Sequence, residues 1–151
     1  MSEQNAPFFI DLEIIRLSKD GVWTSDGVEI THEPTRRLFA KSLKKTPDGY
    51  FLFIGRESKK IEVEDTAFFV TRIDETSHGE FELTINDETK EMLDPKTLQY
   101  RPARLTCRLL RGEEAKFLSA PYMDLLKNLE ENEAHYFLRF ASGAINLLKK
   151  F

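Results

Sequence analysis

The sequence has little of what marks secreted, membrane-spanning or disulfide-linked proteins. Its 151 residues contain one cysteine, Cys107, which cannot form a disulfide within the chain. A single cysteine fits a reducing compartment such as the cytoplasm. No apolar run approaches the ~18–20 residues that span a bilayer, and the start, MSEQNAPFF, lacks a basic segment followed by an apolar one. These absences predict a cytoplasmic protein without a signal peptide or a membrane contact.

Motifs for catalysis and metal binding are also scarce. The 7 glycines are scattered and form neither of the common glycine-rich phosphate loops. The 3 histidines lie far apart, without the spacing typical of zinc ligands. Cys107 lies in an apolar, strand-like run, which favours a buried, inert thiol over a nucleophile. We therefore expect no cofactor, no metal and no catalytic residue of these classes.

The composition indicates a folded protein with an aromatic core. Hydrophobic residues make up 40% of the chain, and 12 phenylalanines are among them. The net charge of −4 argues against a general nucleic-acid-binding protein, which is normally basic. A local cluster of basic side chains could still hold one small anionic ligand.

Short strands and tight turns dominate the pattern. An opening strand is predicted over residues 8–17, and the Asp26-Gly27 pair predicts a hairpin with Trp23 on one strand and Val28 on the other. Further strands are predicted in YFLFIG (50–55), KKIEVE (59–64), AFFVTRID (67–74) and EFELTIN (80–86). The near-continuous apolar run of YFLFIG indicates burial on both faces. Residues 103–111, ARLTCRLLR, fit a strand or a helix nearly equally well, while AKFLS (115–119) is a short strand candidate.

Two helices are expected. Residues 31–45 fit a helix with Pro34 in its first turn and Thr31 or Glu33 as its cap. From Tyr122 onward, apolar residues recur at helical spacing, which predicts a C-terminal helix despite Gly143.

A weak internal similarity suggests two related halves. DGVEITHEP (26–34) and DETKEMLDP (87–95) both begin with Asp and end with Pro at the same spacing. The fold class is therefore predicted as α+β and mostly β. Two β-rich units are expected, the first over residues 1–70 with one helix and the second over residues 71–151.

Residues 59–70, KKIEVEDTAFFV, bring several carboxylates into a strand-like stretch. Glu62 and Glu64 alternate with apolar residues, while Glu64 and Asp65 are adjacent. Three interpretations are open: a solvated or ion-paired strand face, a ligand contact, or a catalytic pair. The first is favoured, because Lys59 and Lys60 can neutralise the acids.

Two further features have a structural and a functional interpretation. Trp23 is the only tryptophan and is expected in the core, although its ring could also stack on a ligand. Arg37, Lys41 and Lys44 form a basic stripe at helical spacing on the first helix, either as a solvated face, which is favoured, or as an anion site.

A spaced pattern across the first half resembles a known bacterial family, domain of unknown function 1285. The matching positions are Asp20-Gly21-x-Trp23, Gly27, Ile30, Arg37-Leu38-Phe39 and Ile61-x-Val63-Glu64-Asp65-x-x-Phe68. In the second half the likeness is confined to Thr84-x-Asn86-Asp87 and Arg101. The chain departs from the family pattern at Glu29, at Ser58 and at Thr66-Ala67, where the family usually has Pro, Lys and Ala-Pro.

The resemblance implies two related β-rich units packed together, the second similar to pleckstrin-homology folds. It also implies a ligand site at their interface and a role in signal transduction with a nucleotide-like ligand, and no enzymatic activity is attached to it. We therefore predict a non-enzymatic binding or signalling protein for a small anionic ligand. The expected ligand-binding residues are Trp23, Arg37, Lys60, Glu64, Asp65, Asn86 and Arg101. One alternative is a hydrolase using Glu64 and Asp65, with Mg²⁺ as a candidate metal. The other is a scaffold that presents a strand edge or the C-terminal helix to a protein partner, for which an exposed apolar stripe on residues 133–150 would be the marker.

Overall fold

The computed structural model describes residues 8–10 and 12–150. Their elements are mostly short strands, with α-helices α1 and α2 at Glu33–Ser42 and Ser119–Leu126. The predicted mostly-β α+β class is confirmed. Two compact units divide the chain, one ending at Ala67 and the other beginning at Phe68. The expected pleckstrin-homology likeness and the relatedness of the two units stay predictions.

The first unit contains a four-stranded sheet. Its order is β3-β2-β1-β7, with β1 at Ile15–Leu17, β2 at Trp23–Ser25, β3 at Val28–Glu29 and β7 at Glu62–Val63. The predicted Asp26-Gly27 hairpin joins β2 to β3, and both turn residues have positive φ, 50° and 82°, as the tightest hairpin turns require. The opening strand is shorter than predicted, because regular pairing begins only at Ile15. Residue 11 and most of the N-terminal segment MSEQNAPFF lie outside the described residues.

Helix α1 matches the first predicted helix, with two corrections. Its N-terminal flanking residue is His32, whose side chain makes no capping hydrogen bond, so the predicted caps Thr31 and Glu33 are wrong. Lys44 lies beyond the helix in the next strand, and the proposed basic stripe therefore ends at Lys41. Phe39 is buried and its ring meets that of Trp23 edge-on, with centroids 5.3 Å apart.

A three-stranded sheet completes the first unit. Strands β4 (Leu43–Thr46), β5 (Gly49–Ile54) and β6 (Glu57–Lys60) pair in that order. In β5 only Leu52 is fully buried, and Phe53 is 43% exposed, so the predicted burial on both faces is wrong. The predicted strand KKIEVE is divided at Ile61, because β6 pairs with β5 whereas β7 pairs with β1.

The second unit is built on a six-stranded sheet in the order β10-β9-β8-β13-β12-β11. The strands are β8 (Phe68–Glu75), β9 (Phe81–Ile85), β10 (Lys90–Met92), β11 (Gln99–Arg101), β12 (Arg104–Arg108) and β13 (Glu114–Phe117). The ambiguous run 103–111 is thus a strand over Arg104–Arg108. The central pair, β8 and β13, is parallel, and the neighbouring pairs are antiparallel.

An ion pair joins two turns of this sheet. In the β9–β10 turn, Asp87 is only 8% exposed, and its Oδ2 lies 2.8 Å from Nη1 of Arg111 in the β12–β13 turn. The Oδ1 of Asp87 accepts a hydrogen bond from Thr89 N at 3.1 Å, and Arg111 Nη2 donates to Thr89 Oγ1 at 2.7 Å. The guanidinium also covers the Phe68 ring, 4.7 Å from its centroid. The two turns are thereby fixed to each other.

The C-terminal region is a small sheet instead of a long helix. After α2, strands β14 (Glu130–Glu131), β15 (His135–Phe140) and β16 (Gly143–Lys149) pair in that order. The predicted C-terminal helix is wrong beyond Leu126, because Gly143 has φ of +131° directly opposite Phe140 at the start of β16. That backbone conformation strongly favours glycine and reverses the chain. In the described part of the chain, no helix is long and apolar enough to cross a membrane.

Candidate functional site

One face of strands β11–β13 in the second unit is rich in basic side chains. Antiparallel pairing places Arg101 opposite Arg104, and Gln99 opposite Thr106, and residues paired in this way point to the same side of a sheet. Side chains two positions apart in a strand also share a face. The members of this basic face are Gln99, Arg101, Arg104, Thr106, Arg108, Glu114 and Lys116.

The opposite side of the same strands belongs to the core. Leu105 and Ala115 are completely buried, and Cys107 is 2% exposed. Burying such apolar side chains is worth ~1.5–3 kcal/mol for each of the larger ones. The side-chain alternation is therefore fixed, and the basic face lies on the other side of these strands; its charged members are at least partly exposed, whereas Thr106 is only 1% exposed.

A short 3-10 helix, Pro95–Thr97, forms a wall beside the basic face. Asp94 Oδ1 accepts a hydrogen bond from Lys96 N at 3.1 Å, which caps the turn. Thr97 Oγ1 accepts from the backbone N–H of Arg108 at 3.1 Å and donates to Asp94 O at 2.8 Å. Thr97 thus ties the wall to β12 and holds the backbone of Lys96 next to the basic face.

The wall and the face enclose a polar pocket of about 330 Å³. It is partly open to solvent. The pocket is lined by Lys96, Thr97, Leu98, Gln99, Thr106, Cys107, Arg108 and Glu114.

The pocket has a local excess of positive charge. Its carboxylate, Glu114, forms an ion pair with Arg104, at 3.0 Å between Oε1 and Nη2. Lys96 and Arg108 are the cationic lining residues, and Arg108 Nη1 donates to the backbone oxygen of Gly112 at 3.1 Å. This hydrogen bond restrains the guanidinium. A restrained guanidinium with a neighbouring ammonium group is suited to bind phosphate or carboxylate oxygens.

The Cys107 thiol lies on the core side of β12 and stays protonated at neutral pH. Burial, together with the nearby charges of Glu91 and Glu114, raises the pKa of Cys107 to about 12. A protonated thiol is a poor nucleophile and a poor metal ligand. The expectation of a buried cysteine agrees with its 2% exposure.

Five of the expected ligand residues lie in the first unit. Trp23 is 3% exposed and packs on Phe39, as core residues do. Arg37 is exposed on α1, and Lys60 is exposed at the end of β6. Their role as ligand contacts stays a prediction.

The acidic cluster is on the surface of the first unit. Glu64 Oε1 accepts a hydrogen bond from Lys19 N at 2.8 Å and lies 3.7 Å from Nη2 of Arg16. Glu62 and Asp65 are exposed. These contacts favour the ion-paired strand face among the three interpretations. Among the residues that the structure describes, no group of three or more His, Cys, Asp or Glu is placed to hold a metal ion.

The remaining two expected residues lie in the second unit, in different surroundings. Asn86 continues the pairing of β9 with β8: its Oδ1 accepts from Phe69 N at 3.0 Å, and its N–H donates to Phe69 O at 2.9 Å. This is a structural contact. Arg101 is exposed on the basic face, two positions from the pocket residue Gln99.

None of the lining residues of the polar pocket was among the expected ligand-binding residues. Its polar and charged lining residues are Lys96, Thr97, Gln99, Thr106, Arg108 and Glu114. One signal was available, because Arg104, Thr106 and Arg108 alternate with apolar residues and would share a face in a strand. The same run also fits a helix, so the alternation does not by itself predict a strand.

Comparisons with known proteins show similarity to one family. Residues 3–66 match the family model for the domain of unknown function DUF1285, N-terminal domain. A crystal structure of a DUF1285 family protein from Silicibacter pomeroyi DSS-3 has a TM-score of 0.68 at 19% identity, covering 89% of this chain and 79% of that one. A second, from Shewanella baltica OS155, has a TM-score of 0.60 at 22% identity, covering 78% and 94%. At these sequence identities, the structural similarity is evidence for the fold alone. No curated protein matches the chain. The resemblance found in the sequence is confirmed.

Proposed function

We propose that this protein, whose residues 3–66 match the N-terminal domain of the DUF1285 family, is a non-enzymatic binding protein for a small anionic ligand. The ligand would occupy the polar pocket on the basic face of the second unit. The observation that carries the proposal is the pairing of Lys96 and Arg108 in a pocket whose carboxylate is already neutralised by Arg104.

The size of the pocket supports a metabolite as ligand. Pockets for small molecules usually measure ~300–1,000 Å³, and a volume of about 330 Å³ lies at the lower end of that range. A phosphorylated sugar, a mononucleotide or a small polycarboxylate is compatible with this size, whereas a dinucleotide cofactor is too large.

The charge distribution supports an anion. The chain carries a net charge of −4, so its overall field repels nucleotides and phosphorylated compounds at long range. Any affinity must then arise from a local group of cations. Lys96 and Arg108 would contact the anionic oxygens, while Gln99 and Thr106 would provide directional hydrogen bonds. Arg101 would extend the positive surface beside them.

The inert thiol supports binding over covalent chemistry. Cys107 is a lining residue, but its side chain lies on the core side of β12, and its raised pKa keeps the thiol protonated at neutral pH. The role in signal transduction that the family resemblance implies would then consist of a ligand-dependent change in the protein without turnover of the ligand.

A thermal-shift screen tests the proposal. Nucleotides and phosphorylated metabolites are screened with and without Mg²⁺, and hits are titrated by calorimetry, since a ligand that binds only the folded state raises the melting temperature. We expect binding without Mg²⁺ and without product formation. Product formation that requires Glu64 and Asp65 would contradict the proposal and favour the hydrolase.

Two substitutions locate the site. Arg108→Gln and Lys96→Gln each remove one cation, which should weaken binding by about 1–3 kcal/mol, or roughly 5- to 150-fold. Arg108→Gln also removes the bond to Gly112 O, but Lys96→Gln leaves the backbone bond to Asp94 intact. Arg139→Gln is the matched control, because Arg139 pairs with Glu130 in the small C-terminal sheet. Equal affinity in all three variants would remove this pocket from consideration.

A further inference from the structure

A second pocket in the same unit differs in character from the polar one. It is lined by Tyr100, Leu126, Leu129, Tyr136, Leu147 and Leu148, and has a volume of about 150 Å³. Its walls come from β11, from the end of α2 and from β15 and β16. Tyr100 alternates with Gln99 and Arg101 along β11, so its side chain leaves the strand on the side away from the basic face.

The volume of this pocket limits what it can hold. It is about half of the ~300 Å³ at which pockets for larger metabolites begin. A cavity of ~150 Å³ with an apolar lining is large enough for one benzene ring. Four leucines and two tyrosine rings provide such a lining here. A single six-membered ring therefore fits, and a nucleotide does not.

The pocket has two hydroxyl-bearing lining residues, Tyr100 and Tyr136. The Tyr100 side chain is hydrogen-bonded to Tyr122, and burial together with this bond raises the pKa of Tyr122 to about 12. A phenol can donate one hydrogen bond and accept others. The Tyr100 hydroxyl can therefore form a hydrogen bond with a ligand in addition to its bond with Tyr122.

Tyr136, another lining residue, is in contact with a cationic side chain. The ammonium group of Lys150 lies 4.7 Å from the centroid of the Tyr136 ring and pairs with Glu131. Lys150 is therefore fixed over one face of the ring. At the mouth, Leu129 and Leu148 are 41% and 40% exposed, so apolar surface is available to cover an entering ring.

We propose that this pocket binds a small, uncharged compound with one phenolic ring, whose hydroxyl group forms a hydrogen bond with Tyr100. The apolar lining excludes charged compounds because their desolvation would not be compensated. This proposal is independent of the anionic ligand, since the two pockets share no lining residue.

Binding of p-cresol to the intact chain tests the proposal, with toluene as the matched probe that lacks the hydroxyl. We expect saturable chemical-shift changes at the methyl groups of Leu126, Leu147 and Leu148, at millimolar p-cresol or below. Toluene should bind roughly threefold or more weakly, since one neutral hydrogen bond is lost. Tyr100→Phe should remove the difference between the two probes. Absence of saturation, or shifts confined to other leucines, would overturn the proposal.

A substitution that fills the pocket provides the second test. Leu147→Phe should weaken p-cresol binding by roughly tenfold or more, because the larger ring occupies the space. Leu110→Phe is the control, as Leu110 is 86% exposed and does not line the pocket. Unchanged binding in a folded Leu147→Phe variant would refute the site. If that variant does not fold, the methyl shifts and the Tyr100→Phe comparison still decide the question.

Discussion

The ion pair between Asp87 and Arg111 makes a pH-dependent contribution to stability that can be measured. Burial acts to raise the pKa of Asp87, but hydrogen bonds from Thr89 and Arg111 outweigh it and hold the pKa below the ordinary value of 3.8. A hydrogen bond to a charged group contributes about 1.5–3 kcal/mol. Arg111 is 34% exposed, so solvent screening reduces its share. Asp87→Asn keeps the shape of the side chain and one acceptor oxygen. We expect it to lower the free energy of unfolding by about 1–3 kcal/mol at pH 7.

The sign of the pH dependence follows from the lowered pKa. A carboxylate with a depressed folded-state pKa stabilises the folded state above its unfolded pKa, and the stabilisation is lost as pH falls through the folded pKa. The difference in free energy of unfolding between the parent and Asp87→Asn should therefore be largest at pH 7 and become smaller below about pH 4. Urea unfolding at several pH values measures it.

A matched control separates this effect from the loss of any surface charge. Asp74 forms a 2.9 Å ion pair with Arg72, but its side chain is 41% exposed. Asp74→Asn should cost at most ~1 kcal/mol. A difference for Asp87→Asn that does not vary between pH 7 and pH 3, or that equals the Asp74→Asn effect, would refute the reasoning.

Four other changes test the fold and the chemistry of the chain. Leu83 is 1% exposed, so Leu83→Asp should abolish the cooperative melt, whereas Glu82→Lys should shift it little; equal effects would contradict the strand assignment. Gly27→Ala should cost about 1 kcal/mol or more in urea unfolding, because φ at this position is +82°; an unchanged midpoint would argue against the turn. Glu64→Gln should lower stability by ~1 kcal/mol through its bond with Lys19 N, and an unchanged urea midpoint would count against a structural role. The raised pKa of Cys107, about 12, predicts slow labelling by a thiol reagent at pH 8 in the folded protein and fast labelling in urea; fast labelling of the folded form would contradict its burial.

Local signals in the sequence were sufficient for much of the fold. Pro34 with the following apolar residues predicted α1, and Asp26-Gly27 predicted its hairpin, because both depend on backbone preferences over a few residues. Strict alternation predicted β9. In these segments the local preference and the final structure agree.

Where both the helical and the strand period fit the same residues, the sequence does not determine which secondary structure forms. Phe137, Phe140 and Leu148 satisfy helical spacing, yet they lie in the β15–β16 hairpin. Pairing of β15 with two neighbours overrides the helical pattern, and Gly143 provides the turn that makes this pairing possible. Tertiary contacts of this kind outweigh weak intrinsic preferences.

The polar pocket could not be predicted because it depends on register between distant segments. Lys96 comes from the 3-10 helix and Arg108 from the far end of β12. The pairing of β11 with β12 and the bond from Arg108 N to Thr97 Oγ1 bring them to one pocket. Trp23 was predicted as a site residue because it is the only tryptophan. A pocket residue such as Gln99 has no feature in the sequence that distinguishes it from other surface residues. The predicted Arg101 came from the family resemblance.

The parallel pairing of β8 with β13 determines the order in which the second unit can form on the ribosome. β8 has its antiparallel neighbour β9 soon after synthesis, but its other edge remains open until Phe117 has emerged. Closing such a distant pair carries a large loop-entropy cost and makes folding slow. Until then the apolar run Phe68–Val70 has a free edge, which is a typical starting point for aggregation. Nascent chains that stop before β13 should therefore depend on chaperones far more than the finished protein does.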